Sequence, residues 1–171
     1  EKVRIINEKL AERYKDHPAL IAWHLSNEYG GYYNFSGCFC ENCVNEFRNW
    51  LKNKYGTIEK LNHEWWNAFW SHKYYSFDEI VPPSHRSDLT THGRNLDWKR
   101  FISDKYIEFM NVEAEPLRKI TPDIPITANL MENFTEIDYS KLAKHIDFVS
   151  WDNYPRWTSS KKDVDVAQKS A

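Results

Sequence analysis

The chain reads as an α/β protein with a parallel sheet, and three observations lead there. Strand-length apolar runs lie at residues 19–27, 124–130 and 146–151. Between them, apolar residues recur at helical spacing, and strands separated by helices require crossover connections and therefore parallel pairing. The first run is apolar almost throughout, as in strands buried on both faces. Three strands cannot close a barrel, and an eight-stranded one takes about 250 residues. If the fold is a barrel, these 171 residues are part of one.

Residues 1–14 place Val3, Ile6, Leu10 and Tyr14 three and four apart, with charges opposite, which predicts an amphipathic helix. It stops near Asp16-His17-Pro18, because the residue before a proline is pushed out of the α region. The strand of residues 19–27 follows, then a loop. Residues 41–55 form a helix with Val44, Phe47, Trp50 and Leu51 on one side and Gly56 as its stop. Thr57 can cap another, running to about Phe69 with Leu61, Trp65, Trp66 and Phe69 toward a core. Residues 71–94, with Pro82-Pro83, read as a long connection. A strong helix spans 96–120, carrying Trp98, Phe101, Ile102, Tyr106, Phe109, Val112 and Leu117. Two further strands at 124–130 and 146–151 enclose a short helix at 139–144.

The bulk numbers exclude several classes. A net charge of −2 leaves no electrostatic footprint for nucleic acid or an anionic membrane. No apolar run reaches the roughly 20 residues of a membrane helix, and no signal peptide opens the chain. The absence of an initiator Met, with Glu1 already in a helical pattern, points to a piece of something longer. Eight Trp, ten Tyr and nine Phe form 16% of the chain, which is compatible with rings stacking on sugar faces but by itself favours an aromatic-rich core.

The candidate chemistry begins at Trp23-His24-Leu25-Ser26-Asn27-Glu28-Tyr29-Gly30. In parallel sheets the functional edge is the C-terminal one, so a strand ending in Asn27-Glu28 is well placed to present a general acid. A Glu that only caps a loop or forms a local ion pair would look the same. The other strand ends add Asn129 with Glu132 behind it, and Asp152-Asn153-Tyr154-Pro155 after Trp151. Polar and aromatic groups from three strands at one edge favour a ligand site over coincidence.

Cys38, Cys40 and Cys43 fall within six residues, an odd and tight set that suits metal ligation better than disulfides. Thiolates bind Zn²⁺ tetrahedrally, so a structural site needs a fourth ligand from a His, an Asp or elsewhere, whereas three free thiols in a reducing compartment are the alternative. Such a zinc would pin the loop at 29–45 beside Glu28. Trp70 stands where a helix exits and could wall a sugar pocket.

Together the Trp23 to Gly30 stretch, the cysteine cluster, Ala68-Phe69-Trp70-Ser71, the strand through Asn129 and Ser150-Trp151-Asp152-Asn153-Tyr154-Pro155 resemble glycoside hydrolase family 42 β-galactosidases, in order and over nearly the whole chain. The resemblance implies a partial (β/α)8 TIM barrel, strands four to six with their helices and a cysteine-rich insertion, so that residues 1–171 are a fragment of a glycosidase domain. It implies retaining hydrolysis of terminal β-D-galactosides, with Glu28 as acid/base and Asn27 on the galactose 2-hydroxyl. Trp70 would line the galactose pocket, and Tyr154 would contact the site from the sixth strand. Cys38, Cys40 and Cys43 match three of four ligands to a structural zinc. The family's nucleophile, a Glu on the seventh strand, has no counterpart here, so the chain alone is expected to be inactive. A cytoplasmic location and no membrane or nucleic-acid partner are expected, with a homo-oligomeric full-length protein left open. Two other readings stay open: a zinc-stabilised interaction module, and a sugar-binding barrel without hydrolysis.

Overall fold

The structure, a computed structural model, describes residues 1–30, 37–83, 90–131 and 137–152. They fall into two units. The first draws on Glu1–Tyr29, Phe109–Phe134 and Tyr139–Ala171, the second on Gly30–Glu108 and Thr135–Asp138.

The first unit holds the parallel strands. Helix α1 (Lys2–Tyr14) precedes strand β1 (Trp23–His24), which pairs in parallel with β2 (Ile126–Thr127). One residue beyond β2, strand β3 (Asn129–Leu130) pairs in parallel with β4 (Ser150–Trp151). Segment 126–130 therefore lies between the other two. The carbonyls of Pro125 and Thr127 accept from Trp23 and Leu25 on one side, while those of Ile126 and Leu130 accept from Asp147 and Asp152 on the other. Alternation of carbonyl direction along a strand requires this arrangement. Ile126 and Ala128 are fully buried, as expected of a middle strand. The Asp147 carboxylate also accepts the Ile126 N–H at 2.7 Å and pairs with Arg118.

Three expectations are refined here. The paired part of each strand is only two residues long, and Ile21 is 80% exposed, so the run at 19–27 is not buried on both faces among the described residues. Of α1, only Ala11 is buried, while Ile6, Leu10 and Tyr14 are exposed. Asn7, one turn before Ala11, donates to the Glu113 carbonyl at 2.9 Å, so the packed face is rotated from the apolar stripe that spacing picks out. Near the third strand, the helix expected at 139–144 is α5 (Tyr139–Leu142) followed by a 3₁₀ turn, Ala143–His145.

The second unit is helical. Helix α2 (Glu41–Tyr55) spans the expected residues and stops at Gly56, whose φ of 77° is the left-handed turn glycine takes without a Cβ penalty. In α3 (Ile58–Glu64) the Thr57 side chain accepts the Lys60 N–H, the predicted cap. This helix ends five residues earlier than its apolar spacing predicts. Buried Asn62 is the cause: its side chain accepts from Tyr74 N–H and Asn67 Nδ2 at 2.9 Å each and donates to the Tyr74 carbonyl, folding the chain back. Only Trp65 of the expected aromatic face is then buried. Trp66 and Phe69 are 70% and 57% exposed, which corrects their assignment to the core.

Helix α4 (His92–Ile120) starts four residues before the expected 96, and its residues through Glu108 belong to this unit. The core joins Phe47 and Leu51 of α2, Leu61 and Trp65, Ile80, and Trp98, Phe101 and Ile102 of α4. Buried Asp97 sits among these rings and accepts from Lys54, Tyr55, Trp65 and Arg100. Burial alone would raise its carboxyl, but these donors outweigh burial and hold it below the ordinary carboxylate value.

Candidate functional site

Strand β1 ends in the segment that carries Glu28, and neighbouring elements of the first unit fix that segment from two sides. On the strand side, the Asn129 Oδ1 accepts the Glu28 backbone N–H at 2.8 Å. Its Nδ2 donates to Asn27 Oδ1 at 3.1 Å and to Asp152 Oδ2 at 2.9 Å. The amide orientation is unambiguous, because a backbone N–H must meet oxygen and a carboxylate must meet a donor. One buried side chain thus ties Asn27, Glu28 and Asp152 together, at the carboxyl ends of three adjacent strands. Since Asn27 uses its oxygen here, its amide N–H groups are the end it can turn outward.

Glu28 itself adopts φ 50°. Left-handed backbone is costly for a residue with a Cβ and persists only where the surroundings impose it. The surroundings are Asn129 and, on the helix side, Glu113. The buried Glu113 carboxylate accepts the hydroxyls of Ser26 and Tyr29, the residues that flank Asn27-Glu28. Burial first, and then the Glu113 carboxylate, raise the Tyr29 phenol far above its ordinary value, so it stays protonated and donates. Tyr29 also packs edge-on against Phe109 of α4 at 6.2 Å. Two turns along, Trp23 Nε1 donates to Thr121 Oγ1 at 2.9 Å. Positions 113, 117 and 121 are one helical turn apart in succession, so the end of α4 and the residue that follows it run back alongside the segment from Trp23 to Tyr29 and bond it at both ends.

The second unit holds the cysteines. The Sγ atoms of Cys38, Cys40 and Cys43 lie within 4.8 Å of one another. Tetrahedral zinc with Zn–S of about 2.3 Å sets its sulfurs about 3.8 Å apart, so closing the cluster takes about an ångström of movement. Cys40 is lowered to about 7 by the Cys43 backbone N–H first and then by the neighbouring thiols, while burial, followed by those thiols, raises Cys43 to about 12. Three thiolates so close need a cation to coexist, and the donor set fits a thiophilic metal. No fourth Cys, His, Asp or Glu joins the group among the described residues.

The cluster rests on a firm base. A Cβ at Gly37, φ 132°, would stand 2.6 Å from Ile102 Cδ1 and 2.9 Å from Trp98 Cζ2, so only glycine lets the chain lie this close to α4. Phe39, between the first two cysteines, stacks on Trp98 at 5.4 Å.

Trp70, also in the second unit, is 66% exposed with φ 53°, and its ring stacks on Phe69 at 4.8 Å. Among the described residues the non-glycine left-handed positions are Glu28, Trp66, Trp70 and Ser71, so two of the predicted site residues are strained. Tyr154 and Glu132 lie outside the described residues. Sequence reading overlooked Glu113, although an acid between Met110 and Leu117, at helical spacing on an otherwise apolar face, was a visible signal.

A parallel α/β sheet carrying an Asn-Glu pair at its C-terminal edge fits a glycoside hydrolase. The glycoside hydrolase family 42 profile, described as β-galactosidase, matches residues 1–171. The chain belongs to that family. It is 48% identical over 157 residues to β-galactosidase BglY of Alicyclobacillus acidocaldarius, covering 92% of this chain and 22% of that protein. It is also 48% identical over 177 residues to β-galactosidase GanA of Bacillus subtilis, covering 99% and 26%. A solved catalytic mutant of Gan42B, a GH42 β-galactosidase from G. stearothermophilus, superposes with a TM-score of 0.88 at 48% identity, over 98% of this chain and 25% of that one. The chain therefore spans about a quarter of the length of the relatives it matches. No helix among the described residues is long and apolar enough to cross a membrane.

Proposed function

We propose that the protein carrying this chain is a retaining β-galactosidase, and that these residues supply strands four to six of its (β/α)8 barrel with Glu28 as acid/base. The carrying observation is the Glu28 backbone, held left-handed at a strand's carboxyl end by Asn129. Its close relatives, β-galactosidases by name, supply the substrate class.

Glu28 protonates the glycosidic oxygen as the bond to the galactose anomeric carbon breaks, then takes a proton from the water that opens the galactosyl ester. Retention needs a second carboxylate about 5–5.5 Å away. Asp152 is engaged by Asn129, and the nucleophile is expected outside these 171 residues. Asn27 turns its amide N–H toward the galactose 2-hydroxyl, Trp70 offers its ring to the sugar's C–H face, and Tyr154 lines the site.

Cys38, Cys40 and Cys43 hold a structural zinc with a fourth ligand from elsewhere. A thiolate-saturated zinc has no open position for water, so it stabilises the loop at 29–45 and stays out of the chemistry. Cysteines kept reduced for a metal, not paired in disulfides, suit a reducing, cytoplasmic setting.

The test is Glu28→Ala in the complete protein, assayed on a nitrophenyl β-galactoside. Turnover should collapse, and azide should restore it with β-galactosyl azide as product. Wild-type turnover would refute the assignment.

A further inference from the structure

Glu113 is a buried carboxylate with no role in the reaction just described. It lies on the face of α4 turned toward Ser26 and Tyr29, and is 3% exposed. Its two carboxylate oxygens are separately engaged: Oε1 accepts from Ser26 Oγ and Oε2 from Tyr29 Oη. Its own backbone carbonyl accepts from Asn7 of α1 at 2.9 Å. The helix turn that carries it is therefore fixed as well.

The donors give this arrangement its meaning. Ser26 and Tyr29 are three residues apart, and the pair between them is Asn27-Glu28. A left-handed residue needs its neighbours held on both sides, because the relaxed alternative swings its side chain to a different direction. Asn129 holds the Glu28 N–H, and the carboxylate holds the two residues that bracket the turn.

We infer that Glu113 is a positioning residue of the hydrolytic reaction, aiming the Glu28 carboxyl at the glycosidic oxygen through the Ser26 and Tyr29 hydroxyls. The inference rests on the acid/base reading of Glu28. The two carboxylate oxygens accept, and both hydroxyls donate toward one side chain. An amide of the same shape offers one acceptor and one donor group, and one of the two hydroxyls loses its place.

The test reads proton donation separately from stability. In the complete enzyme, kcat/KM is measured for Glu113→Gln on methyl β-galactoside, whose leaving group needs a proton, and on 2,4-dinitrophenyl β-galactoside, whose leaving group does not. Misaiming a catalytic group by about an ångström costs on the order of 10²-fold. That loss is expected on the methyl galactoside, against less than about threefold on the dinitrophenyl one. Equal losses on both substrates, or no loss, overturn the inference, whatever happens to the melting temperature. Adding Glu113→Gln to a Ser26→Ala/Tyr29→Phe variant should cost little more, because the carboxylate then has nothing to act through. A full further loss on the methyl galactoside also overturns it.

If Glu113→Gln does not fold, Tyr29→Phe is measured in its place. It leaves Ser26 on the carboxylate and should show the same substrate-selective loss, smaller in size, and a uniform loss or none would again overturn the inference. Glu28→Ala is run alongside. If it too lacks the leaving-group dependence, the acid/base reading fails on its own account, separately from Glu113.

Discussion

Asn129 receives the backbone N–H of Glu28 at 2.8 Å, across a boundary between adjacent strands that are 101 residues apart in the chain. The side chain of one strand therefore decides the backbone conformation at the end of the next. Asn129→Ala removes this acceptor and two donated bonds. A net cost of about 1–2 kcal/mol in stability is expected, read as a lowered thermal midpoint. Relaxation of the left-handed turn should also lower kcat, and an unchanged kcat would show that Glu28 keeps its place without Asn129.

Trp70 combines exposure with a strained backbone. Trp70→Gly relieves the strain while losing the stack on Phe69, so stability should move by no more than about 1 kcal/mol. If the ring lines the galactose pocket, KM rises in the complete enzyme while the melting temperature holds. An unchanged KM removes Trp70 from the site.

Gly37 has no room for a methyl group against Ile102 and Trp98, and its φ of 132° disfavours any side chain. Gly37→Ala should cost about 1–3 kcal/mol through overpacking, measured by denaturant unfolding. The loop bearing the cysteines is the part displaced, so the variant should also hold zinc more weakly.

Metal content tests the cysteine cluster directly. The complete protein should contain about one zinc per chain, and Cys40→Ser should lose it. A strong chelator should lower the melting temperature of the wild type and leave that of Cys40→Ser unmoved. Equal zinc content in both proteins would sink the metal assignment.

Asp97 sets a pH dependence. Its carboxyl is held below the ordinary value in the folded state, so the unfolded chain binds its proton first as pH falls. The stabilisation is present above the unfolded pKa of about 3.9 and is lost as pH falls through the lower folded value. Asp97→Asn should cost about 2–3 kcal/mol at pH 7. The gap between variant and wild type should close below pH 4, as followed by unfolding at a series of pH values. A gap that stays constant would mean the charge is immaterial.

Much of this was legible in the residues, and what was missed shares a physical reason. The α2 helix and its Gly56 stop, the Thr57 cap and the three strand positions follow from local periodicity and cap chemistry, which act within a few residues. Trp66 and Phe69 were misplaced because Asn62, through side-chain bonds to Asn67 and Tyr74, ends α3 against its own apolar spacing. Asn129 was visible as a polar strand end, but its partners Glu28 and Asp152 are fixed only by strand register. Glu113 was visible as an acid on an apolar face, but its role was not, because its donors lie 84 and 87 residues away. Helical spacing alone treats such an acid as a blemish on an apolar face.

Asp147 has a part in assembly. Its carboxylate takes the Ile126 N–H that a neighbouring backbone would otherwise take, while Arg118 of α4 anchors its other side. Sliding the strand at 146–151 by one residue would carry Asp147 away from both partners and leave that N–H stranded. The same slip would turn side chains meant for the interior toward water. Misaligned pairings are thus penalised twice, once by packing and once by charge, so Asp147 acts as a proofreading peg that lets only one alignment of these strands close.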